Sequence, residues 1–275
     1  MRRTLLALAL ALPPAAAAAQ AEAVREVEVD LELVLAVDIS RSMDEEELRL
    51  QRDGYVAALR DPKLIEVIRA GQLGRIAVLY MEWAGPSTIK VLTDWRLIDG
   101  PESAAAMAEE LLWPPLSTGM GTSISGALEF ASRSFEGNGF EGLRRVIDIS
   151  GDGPNNTGAP VTEARDAVLA QGIVINGLPV MLREGGPPFG VPDLDIYYED
   201  CVIGGPNAFV LPVLEREKFA ETIRRKILLE VASVPMPGAV VPAQFGLGAP
   251  KAEPRIDCMI GERLRRRWLE NRWGP

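Results

Sequence analysis

Asp38-Ile39-Ser40-Arg41-Ser42 places one carboxylate and two hydroxyls on alternate positions of a short stretch. Oxygen donors of this kind are hard ligands, which select Mg²⁺, Ca²⁺ or Mn²⁺ over zinc or copper. Two later segments offer more of the same. They are Ser117-Thr118-Gly119-Met120-Gly121-Thr122-Ser123 and Ser150-Gly151-Asp152-Gly153. The chain contains no histidine. Ser-His-Asp and Cys-His catalysis in their usual forms are therefore excluded, as are histidine-bearing zinc sites. What stays open is the chemistry of a cation held by oxygens.

For these groups to meet, the elements around them must end at one place. Residues 31–37 form an apolar run that reads as a buried strand, with Asp38 at its carboxyl end. Residues 45–60 follow as a helix with Leu48, Tyr55 and Leu59 on one face. Further strands are expected at 76–83, 88–92, 144–149, 172–180 and 208–213, and helices at 101–113, 123–135, 161–171 and 215–231. Gly85-Pro86-Ser87 is too short for a parallel crossover, so the strands it joins are expected to be antiparallel. The alternation elsewhere predicts an α/β fold: a doubly wound, mostly parallel sheet with one antiparallel edge strand and helices on both faces. Such sheets place ligand sites beyond the carboxyl ends of their strands. Thr122 and Asp152 then lie on loops at the same sheet edge as Asp38.

Each group taken alone has a plainer explanation. Ser42 with Glu45, or Asp44 with Glu47, matches a capping box. Thr122 can cap the helix that follows it, and Thr118 competes with it as a ligand. Asp152-Gly153 is an ordinary turn pair. Asp44-Glu45-Glu46-Glu47 suits a solvated first helical turn, favoured by the helix dipole. Asp148 falls inside an apolar strand and needs a buried partner, such as a neighbouring arginine or a helix end. Trp83, Trp95 and Trp113 are expected as core or rim packing.

The ends of the chain carry a different message. Arg2 and Arg3, the apolar run 5–12 and an alanine-rich stretch read as an export signal over residues 1–21. The run is too short to span a bilayer. Removing the two arginines takes the formal net charge from −10 to −12, and so acidic a chain is a poor partner for nucleic acid. In an exported protein the two cysteines, Cys201 and Cys258, most simply form one disulfide, contributing about 4 kcal/mol on the chain-entropy model. The main domain is placed at 28–232. Residues 233–275 are read as a proline-rich linker and a disulfide-tethered basic segment. In that segment Arg263, Arg265, Arg266 and Arg267 with Trp268 and Trp273 suit anionic lipid, an acidic partner, or packing on the chain's own domain.

Taken in order, Asp38, Ser40 and Ser42, then Thr122, then Asp152 with Gly153 resemble the von Willebrand factor type A (VWFA) domain and its metal-ion-dependent adhesion site, across residues 31–230. The resemblance implies that these five residues hold a divalent cation, Mg²⁺ foremost and Mn²⁺ or Ca²⁺ as alternatives. It further implies that the ion captures an Asp or Glu side chain of another protein. The sequence also resembles an uncharacterised bacterial family of exported proteins built on this domain, through 150–156 and the late cysteines. An enzymatic alternative starts from Gly151-Asp152-Gly153-Pro154-Asn155-Asn156, which is similar to a segment of haloacid-dehalogenase-like phosphatases, with Asp38 and Asp152 as the working carboxylates. That family needs a second carboxylate where this chain has Ser40, and an aspartate where it has Asn156. The expectation is therefore a periplasmic or secreted binding protein rather than an enzyme.

Overall fold

Leu31, Leu33, Leu35 and Val37 face one side of the central strand and Val34 and Ala36 the other, the alternation that a strand imposes. All are buried, because helices cover both faces of the sheet. The computed structural model describes residues 26–183, 190–232 and 253–273. The expected export signal at 1–21 and nearly all of the expected linker lie outside them. The elements in chain order are β1 (Val27–Val29), β2 (Leu31–Asp38), α1 (Glu45–Leu59), α2 (Pro62–Arg69), β3 (Ile76–Trp83), β4 (Ile89–Ile98), α3 (Pro101–Leu112), α4 (Ile124–Arg133), β5 (Phe140–Gly142), β6 (Arg145–Gly151), α5 (Val161–Leu169), β7 (Val174–Pro179), α6 (Leu194–Tyr197), α7 (Phe219–Ala232) and α8 (Ile260–Trp273). A π-helical turn, Tyr198–Val202, continues α6.

The main sheet has the order β4-β3-β2-β6-β7. Only the β3–β4 pair is antiparallel, so the expected edge strand is present. Helices α1, α2, α3 and α7 pack their apolar residues on one face, and α4, α5 and α6 on the other. From β2 the chain passes to β3 on one side, while β6 lies against β2 on the other. The strand order therefore reverses between the carboxyl ends of β2 and β6, where a ligand crevice is expected.

Some expectations change. Residues 208–213 make only isolated bridges to β7, at Gly177–Val210 and Val180–Val213. Pro212 has no N–H to give to a full ladder. β4 runs on to Ile98, its register shifting near Tyr80. The small parallel pair β1–β5 was not anticipated, nor was α8, whose many arginines hid its helical spacing. Trp83 is buried, and Trp95 packs its ring 5.3 Å from that of Phe135. Trp113 is 83% exposed instead of packed.

Asp148 takes neither an arginine nor a helix end. Its partner is Lys226 of α7, 2.7 Å away, which also meets Glu230 at 2.7 Å. Asn176 of β7 donates to the other oxygen of Glu230 at 2.6 Å. All four are buried. Burial pushes Asp148 up to about 6 in spite of the lysine. The expected disulfide is formed: Cys201 in the π turn joins Cys258, just before α8, with Cα atoms 5.5 Å apart.

Candidate metal centre

The start of α1 shows that Ser42 is not its cap. The helix is capped by Asp44, whose carboxylate accepts from Glu47 N–H at 2.8 Å, while Glu47 accepts from Asp44 N–H at 2.8 Å. This is a complete capping box. The Ser42–Glu45 alternative does not form, and Ser42 is left free of the helix. The same happens at α4. Ser123 is its N-cap, accepting from Gly126 N–H at 3.2 Å. Thr122 therefore stands one position outside the helix and is buried, whereas Thr118 is exposed.

Four of the five groups form one hydrogen-bonded cluster. Asp38 accepts from Ser40 N–H at 2.6 Å and from Ser40 Oγ at 3.0 Å. Ser40 Oγ and Ser42 Oγ are 2.8 Å apart. Ser42 Oγ donates to Asp152 Oδ1 at 2.6 Å. The Thr122 loop is fastened beside them from two sides. Gly119 N–H donates to Ile39 O at 2.8 Å, and Arg41 N–H to Gly119 O at 3.0 Å. Opposite, Asn156 N–H donates to Thr122 O at 2.9 Å, and Asn156 Oδ1 accepts from Thr122 N–H at 3.0 Å.

Other residues hold this cluster in place and were not foreseen. Gln51 of α1 donates to Asp38 O at 2.9 Å and accepts from Ser150 Oγ at 3.2 Å, which pins the ends of β2 and β6 together. Its place among Leu48, Tyr55 and Leu59 on the inner face of α1 was the available signal: a polar side chain there needs a buried partner. Arg183 donates to Ser42 O at 2.7 Å and to Glu47 at 2.6 Å. Tyr198, on the π turn, is fully buried, and its hydroxyl has no hydrogen-bond partner among the described residues. A Cβ on Gly151 would sit 2.9 Å from that hydroxyl and 3.0 Å from Asp38 Oδ2, so glycine permits this close approach. Gly261 of α8 is held likewise: a Cβ there would lie 2.1 Å from Asn155 O. Beside it, Asn155 Nδ2 donates to Glu262 at 2.7 Å, and Arg265 Nη1 donates to Asn156 O at 3.4 Å. Asn156, which clamps Thr122, thus links α8 to the site.

The electrostatics fit a cation. Asp38 and Asp152 are buried, and among the described residues no lysine or arginine pairs with either. Burial, followed by repulsion from Asp152, holds the Asp38 carboxyl well above the usual range. Burial pushes Asp152 up to about 6, although its bond from Ser42 opposes this. Two carboxylates balance a divalent charge, and the three hydroxyls add oxygens without charge. Among the described residues no group of three or more His, Cys, Asp or Glu is arranged to hold a metal. The site is therefore hydroxyl-rich, unlike a carboxylate cage or a thiolate–imidazole zinc centre.

A doubly wound sheet with one antiparallel edge strand and a D-x-S-x-S turn at its switch point defines a VWFA-like domain. The chain belongs to the family described as "Protein of unknown function (DUF1194)", which residues 28–235 match. Among solved structures it is similar to proximal thread matrix protein 1 (PTMP1) from the mussel byssus, in a structure described as having a zinc-occupied MIDAS motif. That match has a TM-score of 0.56 and 14% identity over 75% of this chain and 49% of the other. The pilus adhesin SpaC from Lactobacillus rhamnosus GG, in its open conformation, matches at TM-score 0.54 and 12% identity, over 74% of this chain and 30% of that one. A von Willebrand factor type A protein from Catenulispora acidiphila aligns at TM-score 0.49 and 15% identity, over 74% and 43%. At these identities the mussel and Lactobacillus matches show the fold alone, and the chain spans about half or less of each protein. No curated protein matches the chain.

Proposed function

We propose that this protein is an exported, divalent-cation-dependent binding module. Asp38, Ser40, Ser42, Thr122 and Asp152 hold the ion, and an Asp or Glu side chain of a partner protein completes its coordination. The observation that carries the reading is the buried pair Asp38 and Asp152, joined by serine hydroxyls and with no lysine or arginine ion-paired to either among the described residues. Mg²⁺ suits the site best: it takes one or two carboxylates and keeps exchangeable water positions. An ion with only two protein carboxylates retains attraction for a third from outside. The zinc-occupied MIDAS motif of the mussel protein supports a divalent ion on this fold.

The module is not an enzyme in this reading. Ser40 stands where a phosphatase of the haloacid-dehalogenase type needs its acid/base carboxylate, and no histidine offers a substitute. Export is supported by the signal-like start and by the disulfide. No helix among the described residues is long and apolar enough to cross a membrane. Calorimetry with Mg²⁺ tests the ion: binding heat is expected from the native chain and none from Asp38→Ala. Absence of heat from both would sink the reading. Capture of exported proteins in Mg²⁺ but not in chelator tests partner binding. Asp38-dependent turnover of a phosphate ester would favour the enzyme instead.

A further inference from the structure

The rim of this site carries the opposite charge to the chain as a whole, whose formal net charge is −10. Arg41 lies between Ser40 and Ser42. Its backbone is tied to Gly119, while its side chain is exposed and makes no ion pair among the described residues. Met120 comes next along the rim, 67% exposed. Its carbonyl is pressed against Gly85, where a Cβ would lie 2.3 Å away, so the backbone under Met120 is held. On the far side of the loop a Cβ on Gly121 would sit 3.6 Å from Arg265 Nη1. Arg266 and Arg267 follow on α8, both exposed. The nearby acids of α1 do not oppose this charge, because Arg183 and Arg216 pair with Asp44, Glu46 and Glu47.

An ion that takes a single carboxylate does not require arginines around it. Guanidinium groups beside a cation site disfavour the cation, and a partner carrying further carboxylates relieves that repulsion. Arginine pairs with carboxylates in a bidentate fork. Methionine offers an adaptable apolar contact. We propose that Arg41, Met120 and Arg265, with Arg266 behind them, form a docking surface for an acidic segment of a partner protein. One carboxylate of that segment sits on the ion, its acidic neighbours meet the arginines, and an apolar side chain rests on Met120. The proposal rests on the carboxylate-capture reading and adds the class of partner. It also gives α8 a role: the helix brings Arg265 to the rim through Asn155 and Asn156.

The test uses two short fluorescein-labelled peptides and the full chain. One carries a single aspartate among glycines and serines. In the other the flanking positions are Asp and Glu around one leucine. In Mg²⁺ at low salt the acidic peptide is expected to bind the native chain about tenfold or more tightly than the single-aspartate peptide. Arg41→Glu with Arg265→Glu should close that gap, while the calorimetric Mg²⁺ affinity of Arg41→Glu alone holds or rises because a nearby positive charge is gone. Arg41→Glu alone, at an exposed side chain, should narrow the gap without risk to folding. Equal binding of both peptides by the native chain would overturn the proposal, as would a gap unchanged in the double variant. If Mg²⁺ binds but neither peptide does, carboxylate capture itself fails and the proposal falls with it. Acidic-peptide binding that persists in chelator but is lost in Arg41→Glu would uphold the basic rim and reject capture by the ion.

Discussion

Asp38 and Asp152 are costly to bury as a pair. Each is withdrawn from water, each raises the other's energy, and serine hydroxyls answer the charge only in part. Asp152→Asn should therefore stabilise the chelated protein by on the order of 1–3 kcal/mol, since one pKa unit corresponds to about 1.4 kcal/mol. The same change should abolish stabilisation by Mg²⁺, which in the native chain is about 2.7 kcal/mol at a hundredfold excess over Kd. Urea unfolding with and without chelator reads both, and a variant less stable than the native chain in chelator would contradict this account. Thr122 and Ser123 separate the proposed ligand from the helix cap. Ser123→Ala should cost about 1 kcal/mol and leave Mg²⁺ affinity intact. Thr122→Ala should weaken Mg²⁺ with little change in chelator. The ligand candidates were legible because their types, order and strand-end positions are local properties of the sequence. Gln51, Asn156, Tyr198 and Arg183 were not, because their roles exist only once α1, the loop after β6, the π turn and the segment after β7 are brought together.

Elements explain why some readings needed the folded structure. The apolar run of β2 declares a strand covered on both faces, and the short turn before β4 declares an antiparallel edge. By contrast, the polar chain Asp148–Lys226–Glu230–Asn176 joins β6, β7 and α7, and no local pattern pairs a strand aspartate with a lysine so far along the chain. Lys226→Met leaves two buried carboxylates without their cation, at a cost of about 3–5 kcal/mol near neutral pH. Asp148 in the folded chain holds its proton up to about 6, above the ordinary 3.8. The folded state thus binds that proton more tightly than the unfolded chain, so on its account stability falls as pH rises from about 4 to about 6. The deficit of Lys226→Met should accordingly shrink on acidification below about pH 6, which denaturant midpoints measured across that range will show. For α8 the decisive contact is Gly261 on Asn155 O. Gly261→Val should lift the helix from the loop while the disulfide still tethers it. Faster hydrogen exchange across 260–273, with unchanged exchange in β2 and β6, is the expected result.

At the scale of the whole molecule, the site is a product of the complete sheet. Ser42 and Asp152 are separated by 110 positions, and their bond requires β2 and β6 to be paired and Gln51 to be in place. No fragment containing the D-x-S-x-S turn alone should bind Mg²⁺. The acidic body and basic rim also make association sensitive to salt. Attraction of an acidic segment should weaken steadily as ionic strength rises past about 0.15 M, where the screening length falls to about 8 Å. Tyr198 adds an optical property to this arrangement. Its phenol is buried and lies against Gly151 beside Asp38, so the ring would be an energy donor within reach of an ion held in the proposed way by Asp38. Terbium, a hard oxygen-seeking ion, should therefore glow on binding when tyrosine is excited, and Tyr198→Phe should dim that emission. The folded protein carries its own antenna, and displacement of the glow by Mg²⁺ would report occupancy of the site without any added label.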